Sequence, residues 1–520
     1  MNFSKLVSKD NQFALLFFII SLIAFFIWGY NYIPSNHLLL FILASIFGLF
    51  MAFNIGGNDV ANSFGTSVGA KTLTIKQALI IAAVFELSGA IFAGGEVTNT
   101  IRNGIISIPD DSSIPPMAFV IVMMSALLSA GFWLFIATKF GMPVSTTHSI
   151  VGGIVGAGMV MGYLFSGGDE ALHMIRWEKI GEIVVSWFIS PLAGGILAYI
   201  IFGYIKQRII LPSENLQAEL KKLKYQKKLY KNLYVKELST KPIKDQIDTF
   251  KKIVLYDDDN PKTKNDFVLR LEEMRENEKK FDVAFYMRIH IPIVAAVGAI
   301  IISTSMLLKG LKNVNLDLNL IEKVWIIFVI ATVAYLVSLA LINVIKKDNS
   351  TKAINRVFGW FQLFTASSFA FSHGANDIAN AIGPFAAILD VLKTSTINAD
   401  SPVPFAAMVT FGIALVVGLW FLGKEVITTV GSKLTEIVPT TGFSAELASS
   451  FVILVATQMG LPISSTHVLI GAVLGIGIYN KSANWGLLKP IGLAWVITVP
   501  VAMIGSGLFF MLIKQLTNLI

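Results

Sequence analysis

Long apolar runs alternate with short polar interruptions along nearly the whole chain. Runs of about 20 apolar residues, the length that crosses a bilayer as a helix, fall near 13–33, 38–56, 78–95, 117–138, 143–166, 181–205, 288–308, 322–345, 357–389, 405–423, 443–460, 463–479 and 489–515. The pattern predicts an all-α polytopic membrane protein with about a dozen transmembrane helices. The first run is long, lacks an Ala-x-Ala end and leads directly into the second, so it reads as a retained helix and not a cleaved leader. One long stretch, 206–280, breaks the pattern and is hydrophilic, with helical segments such as Glu214–Leu238.

Composition agrees with this pattern. Hydrophobic residues make up 54% of the 520 positions and charged residues 14%, which excludes a soluble globular class. The net charge of +8 could point to nucleic acid, but six of those charges lie in 206–280, where 19 Lys/Arg face 13 Asp/Glu. A solvated loop accounts for them, and no nucleic-acid partner is expected. Positive charge marks the cytoplasmic side, so this loop is placed inside. Lys5, Lys9, Lys71, Lys76, Lys139, Lys346, Lys347 and Lys424 then fall inside as well, while the loops around Tyr32–Asn36, Asp110–Asp111 and Gly167–Glu178 fall outside. Lys309 and Lys312 are the exceptions. With no cysteine there are no disulfides or thiolate sites, and the six histidines show no HExxH spacing for zinc. No Walker motif is present, so ATP does not drive the protein directly.

Two motifs occur twice. "FNIGGNDVANSFG" at 53–65 returns as "FSHGANDIANAIG" at 371–383, and "GMPVSTTHSIVGGIVGAG" at 141–158 returns as "GLPISSTHVLIGAVLGIG" at 460–477. Asp59 precedes Thr147 by 88 residues and Asp377 precedes Thr466 by 89, so order and spacing are kept. Under the charge frame the two copies run in opposite directions across the membrane. Two inverted-topology repeats, with broken or re-entrant helices at the midplane, are the architecture of secondary transporters.

The repeated motifs carry unusual chemistry for apolar sequence. Asn58, Asp59 and Asn62, matched by Asn376, Asp377 and Asn380, place amides and a carboxylate inside spans where a charge costs about 3 kcal/mol or more. The glycines before them allow close approach or local unwinding. Pro143 and Pro462 look like helix starts, and the hydroxyls that follow, Ser145, Thr146 and Thr147 with Ser464, Ser465 and Thr466, can cap the helix, bond back to the preceding turn or bind a ligand. A helix start exposes backbone N–H groups and a positive dipole end, which suits an anion. A tetrahedral oxyanion could thus be wrapped from both halves, with Asn58, Asp59 and Asn62, Asn376, Asp377 and Asn380, and the two hydroxyl triplets as its candidate ligands. His148 and His467 fix packing or carry protons; Gly152, Gly156, Gly471 and Gly475, spaced by four, allow close helix packing. Glu86 and Glu446 are acids in apolar spans that do not align with each other; each is a cation site, a gating residue or a partner in a wet crevice. Glu96 and Glu425, near span ends, are expected to be solvated.

No Lys or Arg lies inside either motif, so an anion would be held by neutral donors close to Asp59 and Asp377. Two unit charges about 5 Å apart at an effective dielectric near 20 repel by about 3 kcal/mol. A cation at the carboxylates removes that penalty and makes anion and cation binding mutually dependent.

At Gly56–Gly65, Pro143–His148, Gly374–Pro384 and Pro462–His467 the chain resembles the inorganic phosphate transporter (PiT) family of sodium- or proton-coupled phosphate symporters. The resemblance covers roughly 40–205 and 355–515 and leaves out the first helix and the basic loop. It implies inorganic phosphate as substrate, held by Asp59, Asn62, Asp377, Asn380 and both Ser/Thr triplets. It also implies coupling through Asp59, Asp377, Glu86 and Glu446 with sodium favoured over a proton, alternating access, no enzymatic activity and no cofactor beyond the coupling ion. Sulfate, or less favourably an anion channel, is the alternative. The expected organisation is an extra helix at 1–37, a first repeat at 38–205, a basic cytoplasmic loop at 206–287, connecting helices at 288–354 and a second repeat at 355–520. The lipid bilayer of the cytoplasmic membrane is the expected surrounding, and a homodimer is left open.

Overall fold

The computed structural model describes residues 9–108, 114–255, 265–282, 284–307, 318–345, 351–397, 402–433 and 437–517. They are almost entirely helical: α1 (Lys9–Tyr32), α2 (Leu38–Ile55), α3 (Ala61–Gly69), α4 (Ile75–Ala93), α5 (Gly95–Asn103), α6 (Pro116–Lys139), α7 (Thr146–Ser166), α8 (Gly168–His173), α9 (Trp177–Ile205) and α10 (Leu211–Ser239) come first. Then follow α11 (Ile243–Val254), α12 (Asp266–Lys280), α13 (Ala284–Ser305), α14 (Leu320–Ile345), α15 (Thr351–Asp377), α16 (Ala379–Thr394), α17 (Phe405–Lys433), α18 (Pro439–Gln458), α19 (Ser465–Tyr479) and α20 (Trp485–Thr517). Eleven of the described helices are long and apolar enough to cross a membrane. A helix satisfies its backbone polar groups internally, which the bilayer core demands.

The predicted spans differ from the helices at informative places. The run at 357–389 is not one helix: it is α15 and α16, interrupted at Ile378 directly after Asp377. The run at 463–479 yields α19, 15 residues long, which at 1.5 Å per residue is about 22 Å against a hydrocarbon core near 30 Å. Around Gly56–Val60 the backbone does not unwind but loosens into a π-helical turn. A short helix, α5, was not foreseen, because its sequence is too polar and too brief to stand out.

By contacts the chain forms two compact units. One comprises Met1–Gly203, Val297–Ala331 and Phe358–Ile520; the other comprises Tyr204–Ala296 and Thr332–Val357. Within the second, α10 and α12 pair: Tyr234 stacks on Phe267 with ring centroids 3.8 Å apart, and Lys227 lies 3.2 Å from Glu278. The helical segment expected at Glu214–Leu238 is α10.

Within the larger unit, apolar packing has to hold helices that lipid would solvate equally well, so close fit replaces hydrophobic drive. Phe25, Phe41, Phe385 and Phe411 form one buried cluster, with centroids 5.6 Å apart for Phe25–Phe41 and 4.7 Å for Phe385–Phe411. Glycines bring backbones together in matched pairs. A Cβ on Gly56 would lie 1.7 Å from the Leu415 carbonyl oxygen, and one on Gly374 would lie 2.1 Å from that of Glu86. The four-spaced glycines behave the same way: Gly152 and Gly156 of α7 meet Val499 and Met503 of α20, while Gly471 and Gly475 of α19 meet Pro191 and Gly195 of α9. Each repeated motif is therefore packed through equivalent contacts, and helices from the two halves of the sequence interleave.

Candidate functional site

The two Asn-Asp motifs and the two Ser/Thr helix starts meet inside the larger unit. The local scaffold is built twice in the same way. Helix α6 ends in a turn at Gly141, with φ 64°, and α18 ends in one at Gly460, with φ 67°, the left-handed conformation that glycine adopts without strain. Asn58 Nδ2 donates to Thr138 Oγ1 and to the Met142 carbonyl, both at 3.0 Å; Asn376 Nδ2 donates to Thr457 Oγ1 at 3.0 Å and to the Leu461 carbonyl at 3.3 Å. Asn58 Oδ1 also accepts from the Val144 N–H at 3.1 Å. These amides hold the turn that aims the following helix.

Ser145 and Ser464 cap those helices: their hydroxyl oxygens accept from the N–H groups of His148 and His467 at 3.1 and 3.3 Å. The next hydroxyls reach the acids. Thr146 donates to Asp59 Oδ2 at 2.6 Å, and its counterpart Ser465 donates to Asp377 Oδ2. The copies then cross over. Thr466 donates to Asp59 Oδ1 at 3.0 Å, and Asn380 Nδ2 donates to Thr146 and Thr147 at 3.1 and 3.2 Å. Thr147 itself donates to the Ile463 carbonyl at 2.9 Å. Asp59, Asp377, Asn380 and the Ser/Thr triplets are all buried. The side chain of Asn62 lies outside the described residues, as does that of Glu425.

One further residue completes the cluster and was not anticipated. His373 lies between two acids, with Nδ1 2.7 Å from Glu86 Oε2 and Nε2 2.7 Å from Asp377 Oδ2. Ligand atoms of Asp59, His373 and Asp377 lie within 4.8 Å of one another, a group able to hold a cation. The repeat contained the signal: His373 occupies the position of Ile55 in the first copy, so a polar residue replaces an apolar one in an otherwise matched motif. Pro384, four residues beyond Asn380 in α16, has no N–H to continue the helical ladder.

Glu446 stands in a second buried cluster. Its Oε1 accepts from Thr66 at 2.6 Å, Ser67 at 2.5 Å and Gln362 at 3.1 Å, and its Oε2 accepts from Thr365 at 2.7 Å. Gly442, one turn before Glu446, makes room for Gln362, since a Cβ there would lie 2.0 Å from its Nε2. Glu86 thus joins the Asp59–Asp377 cluster through His373, whereas Glu446 does not share a hydrogen bond with it. Glu96, expected in solvent, is half-buried.

His148 and His467 are packing residues here. His148 packs against Trp187, the rings tilted with centroids 3.7 Å apart, His467 packs the same way on Trp495 at 3.6 Å, and the two imidazoles meet edge to face at 4.6 Å.

A buried cluster of acids, amides and hydroxyls, reached by both copies of a duplicated motif inside a multi-pass helical protein, defines a membrane transporter. Residues 55–506 match the phosphate transporter family, and the chain belongs to that family. It is 45% identical over 498 residues to a protein of Mycobacterium bovis provisionally named a phosphate permease, covering 93% of this chain and 89% of that one. A Haemophilus influenzae protein of the same provisional name is 34% identical over 484 residues, covering 92% and 97%. Among solved structures, one titled the sodium-dependent phosphate transporter superposes with a TM-score of 0.69 at 30% identity, covering 92% of this chain and 99% of that one.

Proposed function

We propose that this chain imports inorganic phosphate by symport with sodium, through alternating access between two oppositely oriented repeats at 38–205 and 355–520. Membership of the phosphate transporter family and similarity to a sodium-dependent phosphate transporter support the substrate and the ion. The observation that carries the mechanism is that Thr146 and Thr466, one from each motif copy, donate to the two oxygens of one carboxylate, Asp59.

A hydroxyl has one hydrogen to give. While Thr146, Thr466 and Ser465 spend theirs on Asp59 and Asp377, they cannot also donate to an oxyanion. A cation seated at the carboxylates takes over the neutralising role of those hydrogens. The hydroxyls then turn to phosphate at the starts of α7 and α19, where the helix dipoles favour an anion. The same cation cancels a repulsion of about 3 kcal/mol between anion and carboxylate. Phosphate and sodium therefore bind best together, which is the thermodynamic content of symport. Asn58, Asn376, Ser145 and Ser464 support this by fixing the turns and caps, and Asn62 is assigned to the substrate by its place in the motif. Glu446 serves as a second coupling-ion site once the hydroxyls of Thr66, Ser67 and Thr365 turn their hydrogens away and offer oxygens; Glu86 acts through His373.

His373 between Glu86 and Asp377 favours one second reading, in which a proton is the coupling ion. Uptake of labelled phosphate into proteoliposomes, with sodium and proton gradients imposed separately and sulfate as competitor, decides between them. Sodium-driven uptake indifferent to sulfate is the expected result. Proton-driven uptake would replace the ion, sulfate uptake would replace the substrate, and currents far above a carrier's turnover would mean a channel.

A further inference from the structure

Among the described residues, Arg102 is the one buried Lys or Arg, and it pairs with Asp390, itself buried. Taking both charges out of water costs several kcal/mol per ion, and such pairs add little net stability. What they supply is a fixed geometry. The pair joins α5 to α16, and α5 touches the site's scaffold at two other points. Ile101 packs on Gly383, where a Cβ would lie 2.8 Å from its Cγ2, and Thr100 donates at 2.7 Å to the carbonyl of Gly460. Gly383 and Asp390 are seven residues apart, two turns of α16, and so lie on one face. Asn380, in the first turn of the same helix, makes the hydrogen bonds to Thr146 and Thr147. Gly460 is the left-handed residue of the turn that leads into α19. Helix α5 therefore braces both second-half elements that bring donors to the site.

The ion pair has no counterpart in the sequence of the other copy. By the spacing of the second motif copy, Thr72 stands where Asp390 would, and by the match of "GGEV" at 94–97 to "GKEV" at 423–426, Gly431 stands where Arg102 would. The duplication of the repeat therefore does not account for this ion pair. We infer that Arg102 and Asp390 are positioning residues for the anion site, holding α16 so that Asn380 meets the start of α7. The inference rests on the phosphate reading above only for its kinetic consequence; its geometric content stands apart.

The chain lacks cysteine, so engineered thiols report on placement directly. Asn380→Cys with Thr147→Cys in the full-length protein is expected to be bridged by a short bifunctional thiol reagent, since the two native side chains touch. Adding Arg102→Met with Asp390→Leu removes both charges of the pair at once, which avoids leaving either of the two buried without the other. Cross-linking is then expected to fall severalfold while the melting temperature holds. In a chain keeping Asn380 and Thr147, the same neutral pair is expected to raise the phosphate half-saturation constant about tenfold, the loss of about one good hydrogen bond, with the maximal rate little changed. The charge swap Arg102→Asp with Asp390→Arg should recover part of both effects. Unchanged cross-linking in the folded neutral variant overturns the inference. Reduced cross-linking in a protein whose parent takes up no phosphate keeps the positioning role and sinks the phosphate reading instead.

Discussion

At the scale of the residue, function rests on who holds each hydrogen. Asp59 accepts one hydroxyl from each copy of the Ser/Thr motif, so in the proposed mechanism Asp59→Asn both removes the cation's charge partner and offers an N–H where an acceptor is needed. Asp59→Asn and Asp377→Asn are each expected to lower phosphate uptake more than a hundredfold, the equivalent of about 3 kcal/mol, in protein that still inserts and folds; normal uptake by both would refute the shared site. Thr466→Val keeps the shape of the side chain and deletes one donor. Its half-saturation constant for phosphate should rise about tenfold, and an unchanged value would leave the hydroxyl a merely structural part. Ser464→Ala should instead act on stability, costing about 1 kcal/mol for a lost helix cap, visible as a lower melting temperature with substrate affinity nearly kept.

At the scale of the element, helices meet where glycine lets backbones touch. Gly475 of α19 would place a Cβ 2.1 Å from the Gly195 carbonyl oxygen, and backbone cannot step aside as a side chain can. Gly475→Ala is therefore expected to destabilise the protein by about 2 kcal/mol, as overpacking does. Gly181→Ala is the contrast: a Cβ there meets nothing within 4 Å, and alanine favours the helix by up to about 1 kcal/mol. Thermal melting of both variants in one detergent checks the pair; equal effects would show that Gly475 is not at a tight crossing. The four-residue glycine spacing was readable as a packing stripe, but its partners were not. Nothing in the α7 sequence says that α20, far along the chain, will lie against it.

At the scale of the whole molecule, the proposed symport draws on ion gradients. Each net positive charge moved inward across about 100 mV contributes about 2.3 kcal/mol. If two sodium ions accompany a phosphate dianion, uptake should be indifferent to membrane potential; if three do, an inside-negative potential should accelerate it. Potassium-diffusion potentials set in proteoliposomes distinguish the two. Family membership and the eleven long apolar helices agree with a multi-pass transporter, and the separate unit containing α10 to α12 lies outside the paired motifs.

Sequence alone established the apolar runs, the duplication and the residues in it, because bilayer thickness and repeated letters are both local properties that need no third dimension. It also marked Asp59, Asp377 and the Ser/Thr triplets as a group, since acids and hydroxyls repeated at matched spacing in apolar sequence stand out. Tertiary structure alone decided which of them touch. Asn58 reads as a candidate ligand, and only the fold shows that its amide also holds a turn, because the carbonyl it binds lies 84 residues away. His373 passed unnoticed, because an imidazole acquires its significance from Glu86, 287 residues distant in the chain. Arg102 and Asp390 found each other across 288 residues. Buried polar groups must be satisfied by whatever the fold brings near them, and that pairing is a property of the packed helices and not of any one stretch of sequence.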